Sequence, residues 1–208
     1  MTLNDGGLND VVVNDVDVND IDEAKRIARK QARAARVSIP VDERARLSEI
    51  ICSHIEAFDR WISASVFTAF LAIQSEVDLR ALLTGPSVAG KTVGIPRTTD
   101  DRMSFDAVDL SDPSTLTVGE FNIAVARVPA PIPPDTVALC LVPLLAFDAL
   151  GSRLGAGRAF YDRWLAMSPN AFRLGVAFST QEHEFVPVEQ HDVKLHAVVT
   201  ENGIRFFS

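Results

Sequence analysis

The chain has 208 residues, of which 47% are hydrophobic and 23% charged, with a net charge of −8, which is enough apolar residue to bury a core and fits one domain as the default. No run approaches the roughly 18 apolar residues of a membrane span, and MTLNDGGLND lacks the basic flank and apolar block of a secretory leader, so no membrane partner and a cytoplasmic location are expected. Two distant cysteines, Cys52 and Cys140, fit no metal or redox spacing, and no basic stripe interleaved with aromatics points to nucleic acid.

Charge is distributed unevenly. Residues 1–23 carry Asp5, Asp10, Asp15, Asp17, Asp20, Asp22 and Glu23 without a Lys or Arg, so the body is nearly neutral. Residues 1–21 repeat LND and VND with no sustained helical or strand period, which reads as a disordered acidic extension. Order is expected from Asp22, and residues 22–208 read as a single domain. DEAKRIARKQARAARV (22–37) combines strong helix formers with acids first and bases later, as the helix dipole favours. After Pro40 a second helix over 41–58 carries Leu47, Ile50, Ile51 and Ile55 on one side.

SVFTAF (65–70) reads as a buried strand, EVDLRALLT (76–84) as a short helix, and TVGIP (92–96) as the next strand. Further strands are expected at 121–128, 136–142, 173–178, 196–200 and 204–207, with a helix over 158–167. Strands alternating with helices predict an α/β fold: a mainly parallel or mixed β-sheet flanked by helices in a three-layer α/β/α arrangement.

GPSVAGKT (85–92) satisfies the P-loop pattern letter for letter. The context argues against it, because that loop must follow a strand and open a helix. Here a helix-like DLRALL precedes it and strand-like VGIP follows. His183, His191 and His196 match no short ligand spacing, so they are not read as a metal cluster.

Residues 139–169, LCLVPLLAFDALGSRLGAGRAFYDRWLAMSP, are more informative. An apolar strand exits into a loop holding Gly151, Arg153, Gly155, Gly157 and Arg158, followed by a helix with Tyr161 and Asp162. Ligands of α/β sheets bind in such strand-to-helix loops. Glycines let backbone approach a polyphosphate, arginines supply forked donors, and Asp162 suits a hard cation. The plainer reading is a Gly-rich turn with solvated arginines.

The order and wording of these segments resemble the 5-formyltetrahydrofolate cyclo-ligase family. LGAGRAFYDRWL is similar to its LG-x-G-x-G-YYD loop, VPLLAFD to its VPG-x-AFD strand end, and LAIQSEVDLRALL to its Glu-Val-Asp segment. GIPR (94–97), Met103, the Lys25/Arg29 pair on the first helix and VPVEQHDVKLHAVVTENG (186–203) fall in the same order as in the family. Departures are Ala159 for the third loop glycine, Phe160 for the first tyrosine, Leu144 for the Gly of VPG, RVPAP in place of a Glu-Pro, and His196 for an Asp. The methyl of Ala159 is tolerated at negative φ and costly at positive φ.

The resemblance implies an ATP- and Mg²⁺-dependent ligase closing 5-formyltetrahydrofolate to 5,10-methenyltetrahydrofolate, with release of ADP and phosphate; a monomer is expected. It implies that Lys25, Arg29, Arg153, Gly155, Gly157, Arg158 and Tyr161 hold ATP, with Arg158 and Tyr161 catalytic. Asp162 and Asp192 would bind magnesium, and Leu71, Glu76 and Phe160 would contact the folate. The residues by themselves leave plainer roles open: a solvated face for Lys25 and Arg29, a first helical turn for Glu76, a turn cap for Asp192, and packing for Leu71 and Tyr161. A diverged member that binds folate or nucleotide without turnover is the alternative.

Overall fold

The structure is a computed structural model that describes residues 18–99, 102–119, 123–189 and 191–208. Most of the expected extension, residues 1–17, lies outside the described residues. Helix α1 (Val18–Val37) begins four residues before the expected start, so the extension's last residues are already helical. Helix α2 (Val41–Glu56) stops short of Phe58, and a separate short helix α3 (Asp59–Ser63) follows, which the sequence reading did not separate. Strand β1 (Val66–Thr68) is next.

Helix α4 spans only Arg80–Thr84, which corrects the expected 76–84. Asp78 accepts the Arg80 N–H at 2.9 Å, so the chain before Arg80 turns instead of coiling. Strand β2 (Thr92–Thr99) pairs antiparallel with β3 (Arg102–Ala107), a strand that the sequence reading missed. Two short strands, β4 (Leu116–Val118) and β5 (Ala124–Ala126), pair separately. Next come β6 (Leu139–Pro143), the miniature hairpin β7 (Ala146–Phe147) and β8 (Arg153–Leu154), and α5 (Phe160–Met167). Strands β9 (Phe172–Val176), β10 (Ala197–Thr200) and β11 (Gly203–Phe206) complete the chain.

Seven strands form one sheet in the order β11-β10-β9-β6-β1-β2-β3. The five inner strands are parallel and each edge strand is antiparallel. Alternate residues of β6 face opposite layers, as strand geometry requires. Leu139 and Leu141 join the cluster built with Ile51, Ile55 and Trp61 of α2 and α3. Cys140 and Val142 join the cluster of Phe105, Phe147, Trp164 and Leu165, which α5 completes on the other face. The expected α/β/α layering is present.

Lys91, the lysine of the P-loop-like segment, spends its three donors on Trp61 O, Ile62 O and Ala64 O at 2.8, 2.9 and 2.8 Å. It thereby satisfies carbonyls at the end of α3 that have no helical partner. GPSVAGKT connects α4 to β2, so no helix opens after it and its amides form no phosphate cradle.

Helix α1 presents Ala32, fully buried, to Leu145, Ala146, Leu154 and Val186. Small residues on this face let the helix sit closely over the β7–β8 hairpin, beyond the carboxyl end of β6. That placement sets the site.

Candidate active site

The site begins where β6 ends. Asp148, 1% exposed, accepts the Leu150 and Ser152 N–H groups on Oδ1 at 2.9 and 3.0 Å, and the Val186 N–H on Oδ2 at 3.2 Å. A buried carboxylate binding three backbone donors fixes the hairpin's turn and ties it to the 186–195 segment. The same hairpin delivers Arg153 inward.

Arg153 is buried, and its Nη2 donates to Asp162 Oδ1 at 2.6 Å. That oxygen also accepts the Val193 N–H at 3.0 Å. The other terminal nitrogen, Nη1, is buried with no hydrogen-bond partner among the described residues, and so is the Tyr161 hydroxyl. Tyr161 packs edge-on against Phe105, with centroids 6.1 Å apart. Burial pushes its phenol well above the usual tyrosine range. With Trp164 Nε1, also on α5, the loop–helix unit holds three buried donors without a partner among the described residues, and such groups are costly unless a ligand satisfies them. Tyr161→Phe is therefore expected to leave the ligand-free protein as stable or up to about 1 kcal/mol more stable while weakening nucleotide binding. Thermal melts with and without ATP check both halves.

The glycine loop runs between these anchors. Arg29 Nε donates to Gly155 O at 3.1 Å, so α1 clamps the loop from above. Gly157 has φ +106°, and a Cβ there would lie 3.3 Å from the Arg29 guanidinium carbon. Arg158 and Arg163 place their guanidinium carbons 5.9 and 5.3 Å from the Phe160 ring centroid, a cation–π arrangement at the loop's exit.

Ala159 immediately precedes α5 with φ 49° and ψ 22°. The backbone thus keeps the left-handed turn that a glycine would take freely, and the methyl makes it the costly case. Ala159→Gly is expected to stabilise the protein by about 0.5–1 kcal/mol, the relief of strain being partly offset by glycine's larger unfolded-state entropy. Calorimetry would read this as a Tm rise of about 1–4 °C.

At the acidic end of the site, Lys25 Nζ lies 2.6 Å from both Glu189 Oε2 and Asp192 Oδ2. Burial opposes the lysine's charge, but the hydrogen bonds to Asp192 and Glu189 outweigh it and hold the amine above its ordinary value. Asp192 is likewise buried against its charge, yet Lys25 and the Glu189 N–H hold its carboxyl below the usual range. Glu189, Asp192 and Arg153 line a cavity of about 200 Å³. Ligand atoms of Glu189, His191 and Asp192 lie within 4.8 Å of one another. Glu189 was missed in the sequence; its only signal is its place three residues before Asp192 in PVEQHD.

Histidine spacing had set the three histidines aside as a group, and the structure separates them. His196 Nδ1 accepts the Arg173 N–H at 3.0 Å in the sheet, whereas His191 is exposed beside the acid pair.

At the other end, Glu76 lies in the loop between β1 and α4, not in a helical turn. Its Oε2 accepts the Ile73 N–H at 3.1 Å. Burial pushes its carboxyl above the usual carboxylate range against the pull of that N–H and of Arg36. Leu71 packs against the core on the α2 face and Phe160 against the core on the α5 face, each partly exposed. The fold brings Lys25, Arg29, Gly155, Gly157, Arg153 and Asp162 together with Asp192. Glu76 meets α1 at Arg36 instead, whose Nη1 lies 3.7 Å from its Oε1.

Among the described residues no helix is long and apolar enough to cross a membrane. A family model described as the 5-formyltetrahydrofolate cyclo-ligase family matches residues 21–201. The chain is 24% identical over 196 residues to the 5-formyltetrahydrofolate cyclo-ligase of Mus musculus, covering 86% of this chain and 95% of that one. It is 31% identical over 153 residues to that of Mycolicibacterium smegmatis, covering 69% and 77%. The NMR structure of Aquifex aeolicus 5,10-methenyltetrahydrofolate synthetase superposes with a TM-score of 0.78 at 31% identity, covering 88% of this chain and 92% of that one. With the match running through α1, the glycine loop and the acid pair alike, the chain belongs to the 5-formyltetrahydrofolate cyclo-ligase family.

Proposed function

We propose that the chain, acting as a cytoplasmic monomer through residues 22–208, uses ATP to close 5-formyltetrahydrofolate to 5,10-methenyltetrahydrofolate, releasing ADP and phosphate. The observation that carries this reading is the pair of unmet buried donors, Arg153 Nη1 and the Tyr161 hydroxyl, flanking a glycine loop beyond the carboxyl end of β6. Donors held ready without a protein partner suit the oxygens of a polyphosphate.

In this reading the formyl oxygen attacks the γ-phosphorus and ADP leaves with the electron pair of the broken P–O bond. N10 of the folate then adds to the activated carbon and loses its proton. The C–O bond breaks, and inorganic phosphate departs with the former formyl oxygen. Lys25, Arg29, Arg153 and Arg158 would align the phosphates and neutralise their charge, which is most of what phosphoryl transfer asks of a protein. In this reading Arg158 and Tyr161 would act on the transferring group, while Leu71, Glu76 and Phe160 would hold the folate.

The acids fit a magnesium ion. Asp192 and the newly found Glu189 offer hard oxygen donors around one cavity, and Lys25 cancels only part of their charge, while Asp162, held by Arg153 beside that cavity, would be the further ligand. When bound, the ion would neutralise phosphate oxygens. Holding and orienting them otherwise falls to the arginines and the loop amides.

The test is purified protein with 5-formyltetrahydrofolate, Mg²⁺ and ATP, followed by the near-ultraviolet band of the methenyl product. ATP-dependent growth of the band is the expected result. A folded protein that binds ATP and folate without producing the band overturns the catalytic reading in favour of a binder.

A further inference from the structure

Helix α1 carries a third basic residue on the face that bears Lys25 and Arg29. Arg36 follows Lys25 by 11 residues, three helical turns and about 16 Å along the axis. It is 4% exposed, so it is no solvated charge. Its Nε donates to Ser75 Oγ at 3.0 Å, and its Nη1 lies 3.7 Å from Glu76 Oε1. Ser75 is itself buried, and the preceding Gln74 takes a left-handed φ of 54°, a conformation that a residue with a side chain adopts at a cost. The loop that presents Glu76 is therefore held in an unfavourable shape, and Arg36 is the charged group that grips it.

We propose that Arg36 is a positioning residue for folate binding: it fixes the 74–76 loop through Ser75 and steers the Glu76 carboxylate toward the pterin. This rests on the reading of Glu76 as a folate contact. A planar fork suits the task, because one nitrogen anchors the loop while another faces the carboxylate. Helix α1 then acts as a rigid spacer with Lys25 at the acid pair, Arg29 on the glycine loop and Arg36 at the folate end. The separation of the two substrates is set by helix length, not by loops.

The experiment measures KM for 5-formyltetrahydrofolate and for ATP, together with kcat, in the wild type, Arg36→Met, Arg36→Lys, Glu76→Gln and the Arg36→Met/Glu76→Gln double variant. Arg36→Met is expected to raise the folate KM about tenfold while changing the ATP KM less than about twofold. Arg36→Lys should recover part of the loss, and the double variant should be no worse than Glu76→Gln alone, since one residue acts through the other. Multiplying effects, or an equal rise in the ATP KM, would overturn the proposal. An unchanged folate KM in Glu76→Gln would instead remove the Glu76 reading and the proposal with it. Should Arg36→Met fail to fold by circular dichroism, the Arg36→Lys and Glu76→Gln pair decides: a folate KM unchanged in Arg36→Lys but raised in Glu76→Gln sinks the positioning role.

Discussion

Replacing Lys25 with methionine is expected to lower kcat/KM at least about 100-fold and to destabilise the fold by about 3 kcal/mol. Both effects have one origin. The ammonium is 6% exposed and sits 2.6 Å from two carboxylates that no other described cation contacts at salt-bridge distance, His191 at 3.9 Å aside. Methionine keeps the stem's packing but leaves Glu189 and Asp192 facing each other across the cavity. For a chain of this size, that corresponds to a Tm loss of about 6–12 °C.

The pH dependence has a defined sign. Asp192 is held below its ordinary value, so its contribution is present above the unfolded carboxylate range and is lost as pH falls through the folded value. Lys25 is held above its ordinary value, so its contribution is complete below the unfolded lysine range and is lost as pH rises through the folded one. The wild type should therefore exceed Lys25→Met in Tm across neutral pH, and the two should converge at both the acid and the alkaline extremes. A difference independent of pH would show that Lys25 acts by packing alone.

The second large effect is expected at Arg153. Arg153→Lys keeps the charge, and the ammonium can still reach Asp162, but the second forked donor is gone. Because Nη1 has no hydrogen-bond partner among the described residues, its loss should be felt mainly when phosphate is bound. We expect the ATP KM to rise about 30-fold, with a stability change under about 1.5 kcal/mol. Isothermal titration with a non-hydrolysable ATP analogue, alongside thermal melts, separates the two. A large stability loss with unchanged nucleotide affinity would make Arg153 a scaffold residue and remove the main support for the phosphate reading.

Arg153 also marks how far the sequence could be read. Its place in a Gly-rich strand-to-helix loop pointed to phosphate chemistry, and the loop's position beyond β6 agrees with that. Nothing in the string indicated that Arg153 is buried or that it pairs with Asp162, nine residues on. Ala159 is similar: the sequence posed the question of its φ, and only the backbone answered it. Arg36 was passed over because a basic residue late in a helix has an ordinary explanation in the dipole. Its three-turn spacing from Lys25 was visible but had no partner to give it meaning. Strand β3 was missed although RMSFDA alternates polar Arg102, Ser104 and Asp106 with apolar Met103, Phe105 and Ala107, the period of a half-buried strand; the signal was legible and was passed over.

By itself, the sequence determined what local chemistry can determine. The apolar runs of β6, β9 and β10 had to be buried strands, α1 had to be helical, and the ordered motifs identified the family. Lys91 could be denied a phosphate role from its neighbours alone. The tertiary structure decided which distant groups meet. Lys25 and Asp192 are 167 residues apart, and Arg36 and Ser75 are 39 apart. Such pairings depend on strand order β9-β6-β1 and on the seat of α1 over the hairpin, which non-local burial of the sheet's two faces fixes. A side chain's partner is set by that packing, and no local pattern encodes it.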